Sequence, residues 1–380
     1  MKKQDRVLLS IIIPTRERAK TLAFTLATAL DQTSQDYEVI ISDNASVDDT
    51  REVVERCLDS RVRYFNTGRR LSMCDNYEFA LERAVGEYVI FIGDDDAVMP
   101  GALDKLMARI RIASEPIVYM WPLHTYDWPV GNKPAGVAYL APARAPAELD
   151  LKRMAKFVIS MGSWKYYDLP SIYHCAIPKK ILDKIRVDTG RVFHSTAPDV
   201  FTAMAIPVMA GRALNIGFTV TLNGRSAHSN GLGFINKKAF TNIQLFLQEY
   251  NDYHFHSTLY PCASGAVNMI PDAILVAKDI FTDYYKGVLF DYDAMWAYVC
   301  RLRFASYREV FQKRAEIRRY HAFHPFRFLF FSVIQEISVL RRNILNLIMP
   351  LDEFRKDTPD NIQDFVKALA ARSSNCRVQN

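Results

Sequence analysis

Within the first 120 residues, short unbroken apolar runs alternate with segments of helical spacing, and this pattern limits the fold more than any other feature of the chain. The runs are Val7–Ile13, Tyr37–Ser42, Val62–Phe65 and Tyr88–Ile92. Between them, Leu22, Leu26, Ala29 and Leu30, then Val53, Val54 and Leu58, then Tyr77, Ala80 and Leu81 recur at helical spacing. Leu103, Leu106, Met107 and Ile110 continue the pattern towards another run at Ile117–Met120. A strand buried on both faces reads as a continuous apolar stretch, and a 3.6-residue period marks a helix lying on it. The alternation predicts an α/β fold, a mostly parallel sheet with helices on both faces. No G-x-G-x-x-G follows the first run and no G-x-x-x-x-G-K-[ST] occurs anywhere. A typical nicotinamide enzyme and a P-loop ATPase are therefore excluded.

The run Tyr88–Ile92 ends at Gly93 and three consecutive acids, Asp94, Asp95 and Asp96, with Pro100 opening the next helix. Adjacent carboxylates repel one another unless a cation lies among them. In open α/β sheets, ligands bind at the carboxyl ends of strands. Oxygen-only donors suit a hard divalent ion, Mg²⁺ or Mn²⁺, shared with the phosphate oxygens of a substrate. The competing reading is an acidic turn in which one Asp caps the helix at Pro100.

From Trp121 to Ala147, Pro, Gly and aromatic residues predict loops around a site mouth. Leu151–Met161 and Pro198–Gly211 read as helices, the second kinked at Pro207, and Leu214–Leu222 reads as a final strand. Beyond Gly233 only helical patterns are convincing, so we expect one domain over 1–232 and a mainly helical region over 233–380. The net charge of +6 is concentrated there, in Arg301, Arg303, Arg308, Lys313, Arg314, Arg318, Arg319, Arg327, Arg341 and Arg342. The six cysteines form no C-x-x-C pair, which argues against a zinc site and points to a reducing cytosol. No uninterrupted apolar stretch reaches eighteen residues and none resembles a signal peptide, so we expect a cytoplasmic protein without a transmembrane helix.

Four motifs occur in order: Ser10-Ile-Ile-Ile-Pro-Thr-Arg-Glu-Arg18, Ile41-Ser-Asp-Asn-Ala-Ser-Val-Asp-Asp-Thr50, Asn76-x3-Ala80-x3-Ala84-x-Gly86 and Gly93-Asp-Asp-Asp96-x3-Pro100. Together they resemble the nucleotide-binding half of a non-processive family 2 glycosyltransferase of the GT-A fold. The resemblance implies a metal-dependent, inverting transfer of one sugar from a nucleotide-diphosphate sugar to a hydroxyl of a glycan or lipid-linked glycan. It places the setting in bacterial surface-polysaccharide synthesis. By the same resemblance Pro14, Thr15, Arg18, Asp43, Asn76, Asp94 and Arg225 lie at the donor. Asp94, Asp95, Asp96 and His228 are its candidate metal ligands, with Gly93 standing where related proteins carry a first Asp. Asp199, in the first turn of the helix after His194-Ser-Thr-Ala-Pro, falls where the family has its general base. A helix N-terminus would lower the pKa of that carboxylate and weaken it as a base. Trp164 is the candidate acceptor contact, since an aromatic face can stack on a sugar ring.

Phe326-Arg-Phe-Leu-Phe-Phe331 is unusually apolar for a surface helix among so many arginines. One reading is an interfacial segment docked on an anionic membrane, with the protein peripheral to it. Another is a packed helical subdomain with a basic side. Nucleic acid is not expected as a partner, because arginines and aromatics are not interleaved in a recognisable module. Two further functions stay open at this level: a nucleotidyltransferase of similar architecture, and a catalytically silent scaffold of the same fold.

Overall fold

The first strand, β1 (Leu9–Thr15), lies between β2 (Tyr37–Asp43) and β4 (Tyr88–Phe91), with β3 (Val62–Asn66) outside β2. All four are parallel, and their Val, Ile and Leu side chains are buried in β1, β2 and β4, as the unbroken apolar runs require. This computed structural model describes residues 7–142, 144–227, 246–251, 253–262, 266–303, 305–348 and 358–378. The helices α1 (Ala19–Leu30), α2 (Thr50–Glu55), α3 (Met73–Leu81) and α4 (Ala102–Ile112) connect the early strands. Ser72 starts α3 by accepting the Asp75 N–H at 3.1 Å, an N-cap.

The sheet continues past β4 with a change of direction. Strand β10 (Cys175–Pro178) pairs antiparallel with β4, and β6 (Val118–Met120), β11 (Arg212–Asn215) and β9 (Ala147–Asp150) follow. A second sheet contains β5 (Ala97–Val98), β12 (Thr221–Arg225), β7 (Thr125–Asp127) and β8 (Gly136–Tyr139), in that order. Three expectations are corrected. The stretch 121–147 is not loop alone but supplies β7, β8 and the start of β9, and the single strand over 214–222 is two, β11 and β12. Sequence patterning also missed β10 and the helix α6 (Lys179–Thr189) after it.

The helices α5 (Leu151–Ser160) and α7 (Pro198–Ala210) lie close together against the larger core. With Pro198 at its first position and nearly every residue apolar, α7 is buried all round. The later helices are α8 (Ala266–Ile280), α9 (Tyr292–Arg301), α10 (Tyr307–Gln312), α11 (Arg314–Ile317), α12 (Pro325–Ile348) and α13 (Ile362–Val378). They do not form a separate unit: one core joins Ile12, Phe91 and Phe201 to Ile274, Trp296 and Phe328. Helix α13 returns to the second sheet, where Ile362, Phe365 and Val366 pack with Tyr126, Trp128 and Leu222. No described helix is long and apolar enough to cross a membrane.

Candidate active site

The acids follow β4 at the carboxyl edge of the sheet, and all three are buried. Asp94 accepts from the Thr15 hydroxyl at 2.7 Å and from Arg18 at 3.1 Å, and Arg18 also reaches Asp95 at 3.5 Å. Burial lifts the Asp94 carboxyl to about 6, helped by the charge of Asp95 and opposed by Arg18 and Thr15. Burial works against the Arg18 charge, but Asp94 and Asp95 outweigh it and the pKa of Arg18 is raised. Asp96 behaves differently. It accepts the Gly93 N–H at 2.5 Å and the Gly224 N–H at 2.7 Å, and lies 3.3 Å from the His174 ring. Two backbone N–H groups, one on each of its oxygens, hold this carboxylate, whereas Asp94 and Asp95 share Arg18.

Glycine explains how the acids fit. A Cβ at Gly93 would lie 3.0 Å from an Asp95 oxygen and 3.1 Å from an Asp96 oxygen. The missing side chain leaves room for those carboxylates to fold back. At Gly224 a Cβ would come within 1.7 Å of the Asp95 carbonyl oxygen. There β12 presses directly on the cluster, and the Ser226 N–H reaches the Asp95 carboxylate at 3.1 Å.

Asp43 closes the end of β2. It accepts from the Ser46 N–H at 2.9 Å, the Tyr64 hydroxyl at 2.6 Å and Asn66 at 2.9 Å. A carboxylate offers about four acceptor positions, so one is left for a ligand. Asn76 is buried and accepts from the Ser42 hydroxyl at 2.7 Å, which fixes the residue before Asp43. Pro14 lies within β1, beside Thr15.

Asp199 is in the first turn of α7, as expected. Its pKa is nevertheless raised: burial outweighs the N–H groups of the helix terminus. The expectation of a weakened base is therefore overturned, because desolvation exceeds the terminus effect here. The loop before it is held from far away in the sequence. Ser195, with φ +65°, donates to Asp272 of α8 at 2.7 Å, and its carbonyl accepts from the Cys74 thiol at 3.0 Å. Asp272 is fully buried and also accepts from the Tyr253 hydroxyl and the His256 N–H, both at 2.7 Å.

Two phenols, the buried Tyr77 and the half-buried Tyr173, are hydrogen-bonded to each other near both the acids and Asp199. Tyr77 feels the charges of Asp199 and Asp94, and Tyr173 those of Asp96 and Asp199. Sequence reasoning missed the Tyr77 role, Asp272 and His174. His174 takes φ +54°, bonds Thr221 at 2.8 Å, and is held neutral by burial, its pKa lowered to about 4. An Asp in the middle of the apolar run 269–277 was a usable signal for Asp272.

Other expected site residues lie elsewhere or are already engaged. The Arg225 guanidinium pairs with Asp127 at 2.6 Å, and only the neighbouring backbone reaches the acids. Trp164 is 7% exposed, packed on Phe157 with the Lys165 ammonium 5.2 Å from its ring centre. It offers no open face to a sugar. His228 lies outside the described residues. Among the described residues, no three His, Cys, Asp or Glu side chains are grouped to hold a metal ion.

Comparison with known proteins finds matches over the part of the chain that holds the early strands. The pattern described as "Glycosyl transferase family 2" matches residues 10–154. A GalNAc(5)-diNAcBac-PP-undecaprenol beta-1,3-glucosyltransferase from Campylobacter jejuni is 38% identical over 104 residues, 27% of this chain and 34% of that protein. The Escherichia coli UDP-Glc:alpha-D-GlcNAc-diphosphoundecaprenol beta-1,3-glucosyltransferase WfaP is 34% identical over 89 residues, 23% of this chain and 36% of its own length. The chain thus spans about a third of the length of these relatives. A solved structure, S. aureus TarS 1-349 in complex with UDP-GlcNAc, is 14% identical with a TM-score of 0.47, covering 87% of this chain and 92% of that one.

Proposed function

We propose, from the match of residues 10–154 to the pattern of glycosyl transferase family 2, that the protein is a member of that family and transfers one sugar, with inversion, from a nucleotide-diphosphate sugar to a hydroxyl of a lipid-linked glycan. The observation that carries the reading is that the buried acids after β4 and Asp199 both act electrostatically on one hydrogen-bonded pair, Tyr77 and Tyr173. The acceptor class follows the two relatives, whose names specify undecaprenyl-diphosphate glycans. Surface-polysaccharide synthesis on the cytoplasmic side of a bacterial membrane is the setting that fits such an acceptor.

Asp43 accepts from an N–H of the nucleobase, and Arg18 and Thr15 position the diphosphate at the acids. Asp94 and Asp95 fit a divalent ion, Mg²⁺ or Mn²⁺, because two buried oxygen donors converge on one cationic group, Arg18. Such ions take one or two carboxylates and complete their shell with phosphate oxygens and water. When bound, the ion offsets negative charge on the departing diphosphate. Asp199 removes the proton from the acceptor hydroxyl as that oxygen bonds to the anomeric carbon. The bond from that carbon to the diphosphate oxygen breaks on the opposite face, and its electron pair leaves with the nucleotide diphosphate.

The test is calorimetric titration of UDP, GDP and dTDP, each with Mn²⁺ and with EDTA, on wild type and Asp95→Ala. Metal-dependent binding of one diphosphate, lost in the variant, is the expected result. Absence of binding to all three would overturn the reading. A preference for the nucleoside triphosphate would point instead to a nucleotidyltransferase.

A further inference from the structure

Helix α12 (Pro325–Ile348) is built inside out. Its inward face carries Phe328 but also the buried polar residues Ser332 and Gln335, which bond to the Phe328 and Ala294 carbonyls. Its outward face carries Phe326, Leu329, Phe330, Val333, Ile337 and Leu340, exposed by 88, 46, 60, 57, 58 and 59%. At 100° per residue these six occupy an arc about 100° wide with no polar residue inside it. At 1.5 Å per residue the stripe is about 21 Å long. An ordinary surface helix turns such a stripe to the core, and a contiguous apolar patch left outside marks an interaction site.

The surrounding charge identifies what covers it. Immediately before α12, Lys313, Arg314, Arg318 and Arg319 are exposed, and the Arg318 guanidinium donates to the Phe323 carbonyl at the turn leading into the helix. Within 313–319 the only acid is Glu316, which accepts from the Tyr260 hydroxyl, so this flank of the stripe is net positive. Its complement is a surface that is apolar within and negative at its rim. We propose that the outward face of α12 inserts into the interfacial layer of an anionic lipid bilayer, with the arginines of 314–319 on its headgroups. Apolar stripe and cationic border are the two parts that interfacial binding needs. The inference does not depend on the donor chemistry, so it stands or falls separately from the nucleotide titration.

The experiment is co-sedimentation of the full chain with phosphatidylglycerol/phosphatidylethanolamine vesicles and with phosphatidylcholine vesicles at low salt. Wild type is expected to bind the first and not the second. Phe330→Asp combined with Val333→Asp should weaken binding by about tenfold or more. Arg318→Glu with Arg319→Glu should weaken it by about fivefold per residue. Phe330, Val333 and Arg319 are exposed, so melting temperature should be unchanged on their substitution; because Arg318 also holds the Phe323 carbonyl, Arg319→Glu alone is the second charge variant, and Ile337→Asp the second apolar variant, if a pair disturbs folding. Equal binding by wild type and the apolar variants would overturn the proposal, as would no binding to the anionic vesicles. Light scattering that finds a dimer dissociated by the apolar variants would assign the face to a second copy instead.

Discussion

The two carboxylate sites that both act on Tyr77 and Tyr173, the acids after β4 and Asp199, are built from different parts of the chain. Asp94 and Asp95 sit at a sheet edge, and of the side chains that bond them Thr15 and Arg18 belong to the same early βαβ framework. Asp199 depends on a loop whose shape is fixed by α8, through the Ser195–Asp272 bond across 77 positions of sequence. The first site is closed by side chains from the start of the chain; the second is held by a helix from its C-terminal half. It follows that donor binding and base positioning can be damaged separately.

The most severe expected loss comes from Asp199→Asn. Removing a general base should lower the transfer rate by about 10²–10⁴-fold, while calorimetric affinity for the nucleotide diphosphate stays as in wild type. A variant with full transfer activity would remove Asp199 from the mechanism. Asp272→Ala probes the support. It leaves the Ser195 and Tyr253 hydroxyls and the His256 N–H without their acceptor, which should cost about 1–3 kcal/mol in urea unfolding. Transfer should slow with the donor KM unchanged. If nucleotide affinity falls as far as turnover does, the two sites are not separate after all.

The smallest effect is the pH response of Asp94. Its carboxyl, ordinarily near 3.8, is raised to about 6 in the fold, so the folded state holds the extra proton between those values. Its stabilising contribution is present below about 4 and lost as pH rises through 6. Wild type should accordingly lose stability relative to Asp94→Asn over that interval in chemical denaturation. Nucleotide affinity with metal should move the other way, increasing up to about pH 6 and then levelling off. A flat difference between the two proteins across pH 4–6 would mean that Asp94 ionises normally and the acidic site is wetter than its burial implies.

The same contrast decides what the sequence made legible. Strands β1 to β4, the acids and Asp43 were readable because each is signalled by neighbours a few residues away. Strand β10 was not: Cys175-Ala-Ile-Pro178 is short, has no alternation, and becomes a strand only by pairing with β4 and β6. The different bonding of Asp96 could not be read beside Asp94 and Asp95, since its donor Gly224 is 128 positions away. Trp164 looked like a sugar platform because residue type does not report which side of a ring is covered. For Asp199 the local rule was sound but was outweighed by burial, which no neighbour in the sequence announces.

The return of α13 to the second sheet also sets a clock. Trp128 donates its indole N–H to the Asp95 carbonyl at 2.8 Å and packs on Tyr126, which in turn lies 5.1 Å from Phe365, ring centre to ring centre. On the ribosome about 270 residues must be added between Asp95 and Phe365, roughly 15–50 s at ~5–20 residues per second. Throughout that interval the acidic edge is an unfinished pocket, its motif complete but its outer wall not yet made.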